Sequence, residues 1–256
     1  MHSSRRDVSV IPTAQIGLAE VHAAIVACER CPRLRSYCRR VADEKKRAYQ
    51  YDTYWGRPVP GFGDPAARLL IIGLAPAAHG ANRTGRVFTG DGAGGSGDFL
   101  MRALYRTGFA NLSTSRDASD GLQLTGAFIT MAVRCAPPDN KPLPDESAQC
   151  LDHLEAEVAL LPHARVAVAL GKIAFDAWLR LMERRGARVS PRPQFGHGVV
   201  VKIGETLPLL IGSYHPSRQN TNTGKLTARM LESVFRKARR LSGAAASERS
   251  AAPCCQ

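Results

Sequence analysis

An almost entirely apolar segment that runs straight into a long glycine-rich loop constrains this fold more than any other feature. Residues 68–74 read RLLIIGL and predict a β-strand buried on both faces, because apolar and polar side chains do not alternate. Residues 75–97 include seven glycines and many polar side chains, which predict a loop. In an open parallel sheet, ligands bind outside the carboxyl ends of the strands. The active site is therefore expected in this loop.

Further apolar segments alternate with amphipathic ones along the chain. Strands are predicted at 126–133 and 165–170, a hairpin-like pair at 199–203 and 207–211, and helices at 14–28, 99–105, 146–161, 171–184 and 225–241. Asp145 or Ser147 is expected to cap the helix at 146–161, which would place Cys150 in its first turn. Alternating strands and helices predict an α/β fold with a parallel sheet and helices on both faces.

Length and composition favour a single domain. The chain has 256 residues, of which 44% are hydrophobic, enough for one sizeable core; two small domains are the alternative. We expect one domain over 14–241, a flexible N-terminus at 1–13 and a disordered tail at 242–256, where alanine and serine predominate.

The charge indicates an anionic partner. A net charge of +13, with arginines spread through the loops, favours nucleic acid over membrane, since no segment approaches the roughly 18 apolar residues of a spanning helix. A basic protein without a polyanionic ligand is the alternative. The N-terminus lacks the apolar core and cleavage site of a secretory signal, so a cytoplasmic location without membrane association is expected.

Four of the seven cysteines have a spacing that predicts metal ligands, because disulfides are rare in a reducing compartment. Cys28 and Cys31 form one pair, and Cys135 and Cys150 form another, with fourteen residues between them. Four thiolates in this arrangement can bind zinc or an iron–sulfur cluster, and the spacing does not distinguish the two. Four unrelated buried cysteines are the alternative.

The remaining cysteines are expected to be spectators. Cys254 and Cys255 fall in the predicted tail, whereas Cys38 is near enough to the first pair to substitute as a ligand.

Polar loops follow three of the predicted strands, at 75–97, 134–140 and 213–224. Because the carboxyl ends of parallel strands meet at one edge of a sheet, these loops are expected to converge there. His215 follows a strand and has polar neighbours, so we expect it to project at this edge with a functional role, and not to lie in the core.

These loops carry three long motifs, GLAPAAHG at 73–80, NRTGRVFTGD at 82–91 and HPSRQNTNTG at 215–224. Together with the cysteine spacing, they closely resemble family 5 (class b) uracil-DNA glycosylases over about 14–241. The resemblance implies a three-layer α/β/α sandwich with a central four-stranded parallel sheet. It also implies a structural [4Fe–4S] cluster on the four cysteines Cys28, Cys31, Cys135 and Cys150.

The activity implied is monofunctional DNA glycosylase activity in base excision repair, on DNA containing uracil or other deaminated bases, and we expect a monomer. Such an enzyme flips its base into a pocket, and the base leaves as an anion from a cationic sugar. Phe88 is expected to stack on the base, and His215 to bind a uracil carbonyl and stabilise the leaving base. Asp91, or else Asn82, is expected to position the attacking water. The expected base pocket comprises Gly73, Ala75, Phe88 and Asn140.

Two of these roles have structural alternatives, since Phe88 could be a core residue and Asp91 a loop cap. Ala75 stands where related families carry an acidic or amide residue, a departure typical of family 5, and Met131 stands where they read uracil with an Asn. A pocket less committed to uracil should accept other damaged bases. We therefore predict activity on hypoxanthine and ethenocytosine, with Asn140 as the nearest remaining polar reader.

Side chains and the backbone N–H groups of the glycine-rich loop at 75–97 are expected to bind the DNA backbone. The side chains are Asn82, Ser217, Asn220 and Thr223, with charge added by Arg83, Arg86 and Arg218. A wedge that enters the base stack is expected within 218–222. Two alternatives stay open: a non-catalytic cluster-bearing nucleic-acid-binding protein of the same fold, which Ala75 favours, and a zinc-bearing nucleotide hydrolase.

Overall fold

A computed structural model describes residues 13–92 and 94–243. The helices are α1 (Thr13–Val26), α2 (Pro32–Glu44), α3 (Ala81–Thr84), α4 (Ser96–Arg106), α5 (Pro144–Ala159), α6 (Lys172–Arg184), α7 (Arg218–Asn222) and α8 (Ala228–Ser242). The strands are β1 (Phe62–Gly63), β2 (Leu69–Gly73), β3 (Ala127–Met131), β4 (Val166–Leu170), β5 (Val200–Val201) and β6 (Leu209–Ser213), and 3-10 turns lie at Arg47–Tyr49 and Pro138–Asn140. None of these helices is long and apolar enough to cross a membrane.

The strands form one sheet of six, in the order β1-β3-β2-β4-β6-β5. The four inner strands are parallel, with Ile71 paired to Ile129 on one side and to Val168 on the other. This confirms the predicted four-stranded parallel sheet. A two-residue antiparallel strand covers part of each edge of this parallel sheet: β1 pairs with β3, and β5 pairs with β6 as the predicted hairpin-like pair.

Side chains alternate between the two faces of the sheet and build a core on each. Leu69 and Ile71 point to one face, where α4 and α8 cover the sheet. Leu70 and Ile72 point to the other, which is covered by α1, α5 and α6. All of β2, β3 and β4 is buried, as their continuous apolar sequences predicted. The result is the expected α/β/α sandwich.

Several boundaries differ from the predicted ones. Helix α5 begins at Pro144, which suits a first helical position because it needs no N–H partner, and the predicted caps Asp145 and Ser147 are therefore wrong. Leu143 precedes the helix, and its N–H donates to the Glu146 carboxylate at 2.7 Å. The earlier start also moves Cys150 from the first turn to the second.

Three helices escaped prediction. Helix α2 lies in a charge-rich segment, and its buried side chains Leu34, Cys38 and Val41 have helical spacing that the surrounding arginines and lysines obscure. Helices α3 and α7 are only four and five residues long and lie inside two of the loops predicted to be functional.

The predicted flexible termini lie largely outside the described residues, as do Cys254 and Cys255. The exceptions are at their inner ends. Thr13 begins α1, and Ser242 ends α8.

Candidate active site and cysteine pocket

An open cleft lies at the carboxyl edge of the sheet. All three polar loops contribute to its lining, with Ala75, Phe88 and Asp91 from the first, Asn140 from the second, and His215, Ser217 and Arg218 from the third. The predicted convergence of the loops is therefore confirmed. Met131, at the end of β3, also lines the cleft.

Phe88 forms part of the floor of this cleft. It is 5% exposed and contacts the core, yet its backbone has a left-handed φ of 50°. Its ring lies 6.0 Å from that of His215, centroid to centroid, with the two planes inclined by 29°. A planar base resting on Phe88 would therefore be close to the His215 imidazole.

His215 is half-buried, two residues beyond the end of β6. Burial lowers the pKa of its imidazole to about 4, which keeps the ring neutral at physiological pH. The Asn220 side-chain amide donates to the His215 carbonyl at 2.9 Å and so fixes the backbone that carries the ring.

Asp91 also lines the cleft. Its Oδ2 accepts from the Gly97 N–H at 3.3 Å, and its carbonyl accepts from Arg218 Nη2 at 3.2 Å. Burial raises the pKa of the Asp91 carboxyl group. Gly80 and Gly95 press against Asp91 so closely that neither position has room for a β-carbon.

Asn140 lies at the mouth of the cleft, in the 3-10 turn after β3. It is exposed, and both it and Asp139 have left-handed φ values, of 57° and 53°. Two consecutive non-glycine residues in this region carry backbone strain, which proteins retain mainly at functional sites. Ala75 and Met131, which also line the cleft, offer no side-chain hydrogen-bonding group beyond a thioether.

Asn82 does not reach the cleft surface. Its side chain is fully buried, and Nδ2 donates to the carbonyl groups of Cys38 and Ala78, each at 3.3 Å. The amide holds the start of the loop against α2. The sequence predicted that Asn82 would contact a DNA phosphate or position water, but its buried side chain is not placed for either role.

Two of the predicted DNA-binding arginines are occupied by internal partners. Arg83 forms an ion pair with Asp52 at 2.5 Å and lies 4.0 Å above the centre of the Tyr49 ring. Arg86 is buried in an ion pair with Asp120 at 2.7 Å. Both side chains therefore stabilise the loop at 75–97 through contacts inside the protein.

The third loop carries the remaining predicted contacts. Ser217 Oγ caps α7 by accepting from the Asn220 N–H at 3.3 Å, and Thr223 Oγ1 donates to the Gln219 carbonyl at 2.6 Å. Thr223 and Arg218 are exposed, so they remain accessible to a phosphate backbone.

The four predicted metal ligands meet in a separate pocket, which is lined by Cys28, Cys31, Cys135 and Cys150. Cys28 follows α1, Cys31 immediately precedes α2, Cys135 lies beyond β3, and Cys150 is in α5. Segments distant in sequence are thus joined at one point. Cys38 is buried nearby, with its Sγ 3.6 Å from the Ala136 carbonyl, and does not line this pocket.

The four thiols of this pocket are the residues that could hold a metal or a cluster. Among the described residues, no three His, Cys, Asp or Glu side chains are close enough to share one metal ion. Burial raises the pKa of Cys150 to about 11, and burial with the nearby Glu146 and Cys28 raises that of Cys31. Thiolates therefore need a compensating cationic group here. In a [4Fe–4S] cluster each cysteine binds a different iron, so the sulfur atoms can stand further apart than around one zinc ion.

Sequence reasoning missed two pairs near these sites. The buried Arg134 pairs with Glu157 at 2.7 Å beside the cysteines, and the Tyr54 hydroxyl lies 2.9 Å from His79 Nδ1, on the wall of the cleft. The only sequence signal for either pair was Arg134 itself, a charged residue directly after the apolar segment that contains β3. Neither partner is near in sequence, so only the fold reveals the pairing.

The fold and the two sites define an α/β protein with a cleft at the carboxyl edge of a parallel sheet and a separate cysteine-lined pocket. Residues 60–239 match the family model described as the uracil DNA glycosylase superfamily. The chain belongs to this superfamily.

Curated relatives cover most of the chain. A type-5 uracil-DNA glycosylase of Mycobacterium tuberculosis (strain CDC 1551 / Oshkosh) is 52% identical over 227 residues, 88% of this chain and 82% of the relative. Another of that name from Thermus thermophilus is 49% identical over 219 residues, 86% of this chain and 95% of the relative. A type-4 uracil-DNA glycosylase of Pyrobaculum aerophilum is 31% identical over 173 residues, 67% of this chain and 69% of the relative.

Proposed function

We propose that this chain is a monofunctional uracil-DNA glycosylase that hydrolyses the N-glycosidic bond of uracil in DNA during base excision repair. The observation that carries the proposal is the meeting of Phe88, Asp91 and His215 in one cleft. The names of the relatives agree with this reaction. The net charge of +13 suits a DNA substrate.

In the proposed reaction, the flipped base stacks on Phe88, where the nearby imidazole can donate a hydrogen bond to a base carbonyl. His215 is suited to this role because its depressed pKa, of about 4, keeps it a neutral donor. It stabilises negative charge as that charge develops on the departing base. No proton need be transferred to the base.

Asp91 acts on the sugar. A carboxylate in a partly dehydrated site is stabilised by positive charge, so it favours the oxocarbenium-like state more than the neutral substrate. The same oxygen atoms can orient the attacking water. Asn82 contributes by holding the loop, since its amide is occupied by backbone carbonyl groups.

The base pocket is proposed to be broad. Ala75 presents only a methyl group to the cleft, Gly73 lets the Phe88 ring lie against the backbone, and Met131 cannot match the donors and acceptors of one particular base. Asn140 is the nearest polar reader, at the mouth of the cleft. Hypoxanthine and ethenocytosine are therefore proposed as further substrates.

The duplex is proposed to lie across the mouth of the cleft. Arg218, Ser217 and Thr223 would contact phosphates, while Asn220 holds His215, and Arg83 acts by bracing the loop. Such contacts position the substrate without reading its sequence. The wedge is assigned to the exposed part of 218–222.

We further propose that Cys28, Cys31, Cys135 and Cys150 bind a [4Fe–4S] cluster. The proposed role of the cluster is structural, because it would cross-link the four segments that carry its ligands. Purified protein should be brown and contain iron and sulfide. Colourless, folded protein with zinc would contradict this assignment.

The test of function uses duplexes that carry one uracil, hypoxanthine or ethenocytosine, followed by alkali to reveal abasic sites. Cleavage at uracil is expected, with cleavage at the other two if the pocket is broad. Cleavage at uracil alone would contradict the broad pocket. Tight, salt-sensitive DNA binding by iron-loaded protein without any cleavage would favour the non-catalytic alternative that Ala75 suggests.

A further inference from the structure

Arg134 links the cysteine pocket to the protein core. It is 1% exposed, lines the pocket and immediately precedes Cys135. Its backbone N–H donates to Cys150 Sγ at 3.2 Å. Arg134 therefore adjoins two of the four proposed ligands, although it takes no part in the chemistry of the cleft.

The guanidinium group of Arg134 is only partly hydrogen-bonded. Nη2 donates to Glu157 Oε2 at 2.7 Å, whereas Nε and Nη1 are buried and have no partner within residues 13–92 and 94–243. Buried charged donors are rarely left without an acceptor, because burial removes their water. These two atoms point to an acceptor other than protein.

Glu157 cannot supply that acceptor. Its Oε1 accepts from the Gly61 N–H at 2.7 Å, and its Oε2 accepts from Thr130 Oγ1 at 2.6 Å besides Arg134. The carboxylate is fully buried and held from several sides. It fixes one side of the guanidinium group and leaves the other side free.

A second unpartnered group lies on the same pocket. His153 follows Cys150 by three residues on α5, and its Nε2 is buried without a hydrogen-bond partner in the described chain. His153 lines the pocket together with Arg134 and the four cysteines. Arg134 and His153 therefore have three buried nitrogen atoms without partners at the place where anionic sulfur is expected.

We propose that Arg134 donates hydrogen bonds through Nε and Nη1 to the sulfur atoms of the cluster, with His153 Nε2 as a further donor. The inference rests on the cluster proposed above. Arg134 is then a positioning residue that ties the cluster to Glu157. A guanidinium group is charged at all relevant pH values and presents several donors in one plane, which suits an anionic cluster. Hydrogen bonds to sulfur set the persistence and the reduction potential of such clusters.

The test compares the whole protein with Arg134→Gln, Glu157→Gln and the double variant, all purified without oxygen. Iron and sulfide content, the rate of iron loss to a chelator, the cluster potential and the melting temperature are measured. Arg134→Gln alone leaves the buried Glu157 carboxylate without its charged partner, which destabilises the fold. The double variant removes both charges, whereas Glu157→Gln disturbs the same pair but keeps the donors that face the cysteines.

Both variants that lack Arg134 are expected to lose iron about tenfold faster than the wild type, or more, and to have a lower potential. Glu157→Gln should lose iron within about twofold of the wild-type rate, even if it melts earlier. Wild-type rate and potential in the double variant would overturn the inference, as would equally fast loss in Glu157→Gln. Wild-type protein without iron and sulfide would instead refute the proposed cluster.

Discussion

The ring of Phe88 lies directly against the α-carbon of Gly73, where a β-carbon would be 2.7 Å from Cε2 and 2.9 Å from Cζ of the ring. Gly73 is the last residue of β2, and its backbone is not in the left-handed region, so any residue could adopt its conformation. Phe88, in contrast, is held with a φ of 50°. The place of the proposed stacking surface therefore depends on the missing side chain at Gly73.

Gly73→Ala should displace the Phe88 ring and lower the single-turnover rate on uracil-containing duplex by about a hundredfold, since small misplacements of binding groups have effects of that size. Gly204→Ala is the matched control, because its β-carbon would meet only Leu207, at an ordinary 3.4 Å. Full activity of Gly73→Ala would show that Phe88 does not position the base.

The Asp91→Asn variant should be less active but more stable than the wild type. Burial raises the pKa of Asp91 above its ordinary 3.8, so ionisation in the folded state becomes a cost as pH rises through the raised value. The variant should therefore melt at a higher temperature than the wild type at about pH 8, and the difference should shrink as the pH approaches 3.8. Its rate should fall at least about a hundredfold.

Asp43→Asn serves as the control for this substitution, because Asp43 is exposed on α2, outside the cleft. It should alter neither the rate nor the melting temperature. A less stable Asp91→Asn variant at about pH 8 would contradict the assigned direction of the pKa shift.

The inner strands were predictable from sequence because each is a local apolar segment. Segments such as 68–74 and 165–170 are apolar throughout, which only a doubly covered strand tolerates, and each ends at a glycine-containing turn. Strand β5 lies within the first segment of the predicted hairpin-like pair at 199–203 and 207–211, and it does pair with β6. Strand β1 was not predictable, since two residues carry no periodicity and its partner β3 is distant in sequence.

The site was predictable in part for the same reason. Placement of loops after parallel strands brought Asp91 and His215 to one cleft, as their positions in sequence indicated. Sequence could not show that Arg86 and Asn82 point inward, because a polar residue in a polar loop has the same local pattern whether it faces water or a buried partner. Their partners, Asp120 and the Cys38 carbonyl group, are 34 and 44 residues away.

The His215 imidazole should act as a neutral donor across about pH 6 to 8, since burial lowers its pKa to about 4. The single-turnover rate should show no inflection from this residue near 6.5, the ordinary value for histidine. His215→Ala should lose about a hundredfold to a thousandfold in rate at every pH in this range. His163→Ala, which alters an exposed histidine, should behave as the wild type.

His215 should also make the fold sensitive to acid. Its folded-state pKa is depressed, so the neutral form contributes stability above 6.5 that is lost as the pH falls toward about 4. His215→Gln should remove this part of the acid sensitivity in thermal melts. A rate inflection near 6.5 that vanishes in His215→Gln would instead show that the charged imidazole is the working form.

Substitutions of Arg218 and Arg86 should have different effects, although both arginines lie in the polar loops. Loss of Arg218 should weaken DNA binding, whereas loss of Arg86 should lower stability. Arg218 is exposed at the cleft, so Arg218→Ala should weaken DNA binding and reduce the slope of log affinity against log salt by about 0.9, one phosphate contact. Arg165→Ala, an exposed arginine just before β4, is the control that should leave the slope unchanged.

Arg86→Ala should leave that slope unchanged too, but should lower the free energy of unfolding by about 3 kcal/mol, because it leaves the largely buried Asp120 carboxylate without its charged partner. Burial would raise the pKa of Asp120, but its hydrogen bonds and ion pair with Arg86 hold it at about 2. The depressed pKa means that the pair contributes stability above 3.8, which is lost as the pH falls toward 2. The stability difference between wild type and Arg86→Ala, measured by urea unfolding, should therefore shrink in acid; a constant difference would indicate that Arg86 acts through packing and not through charge.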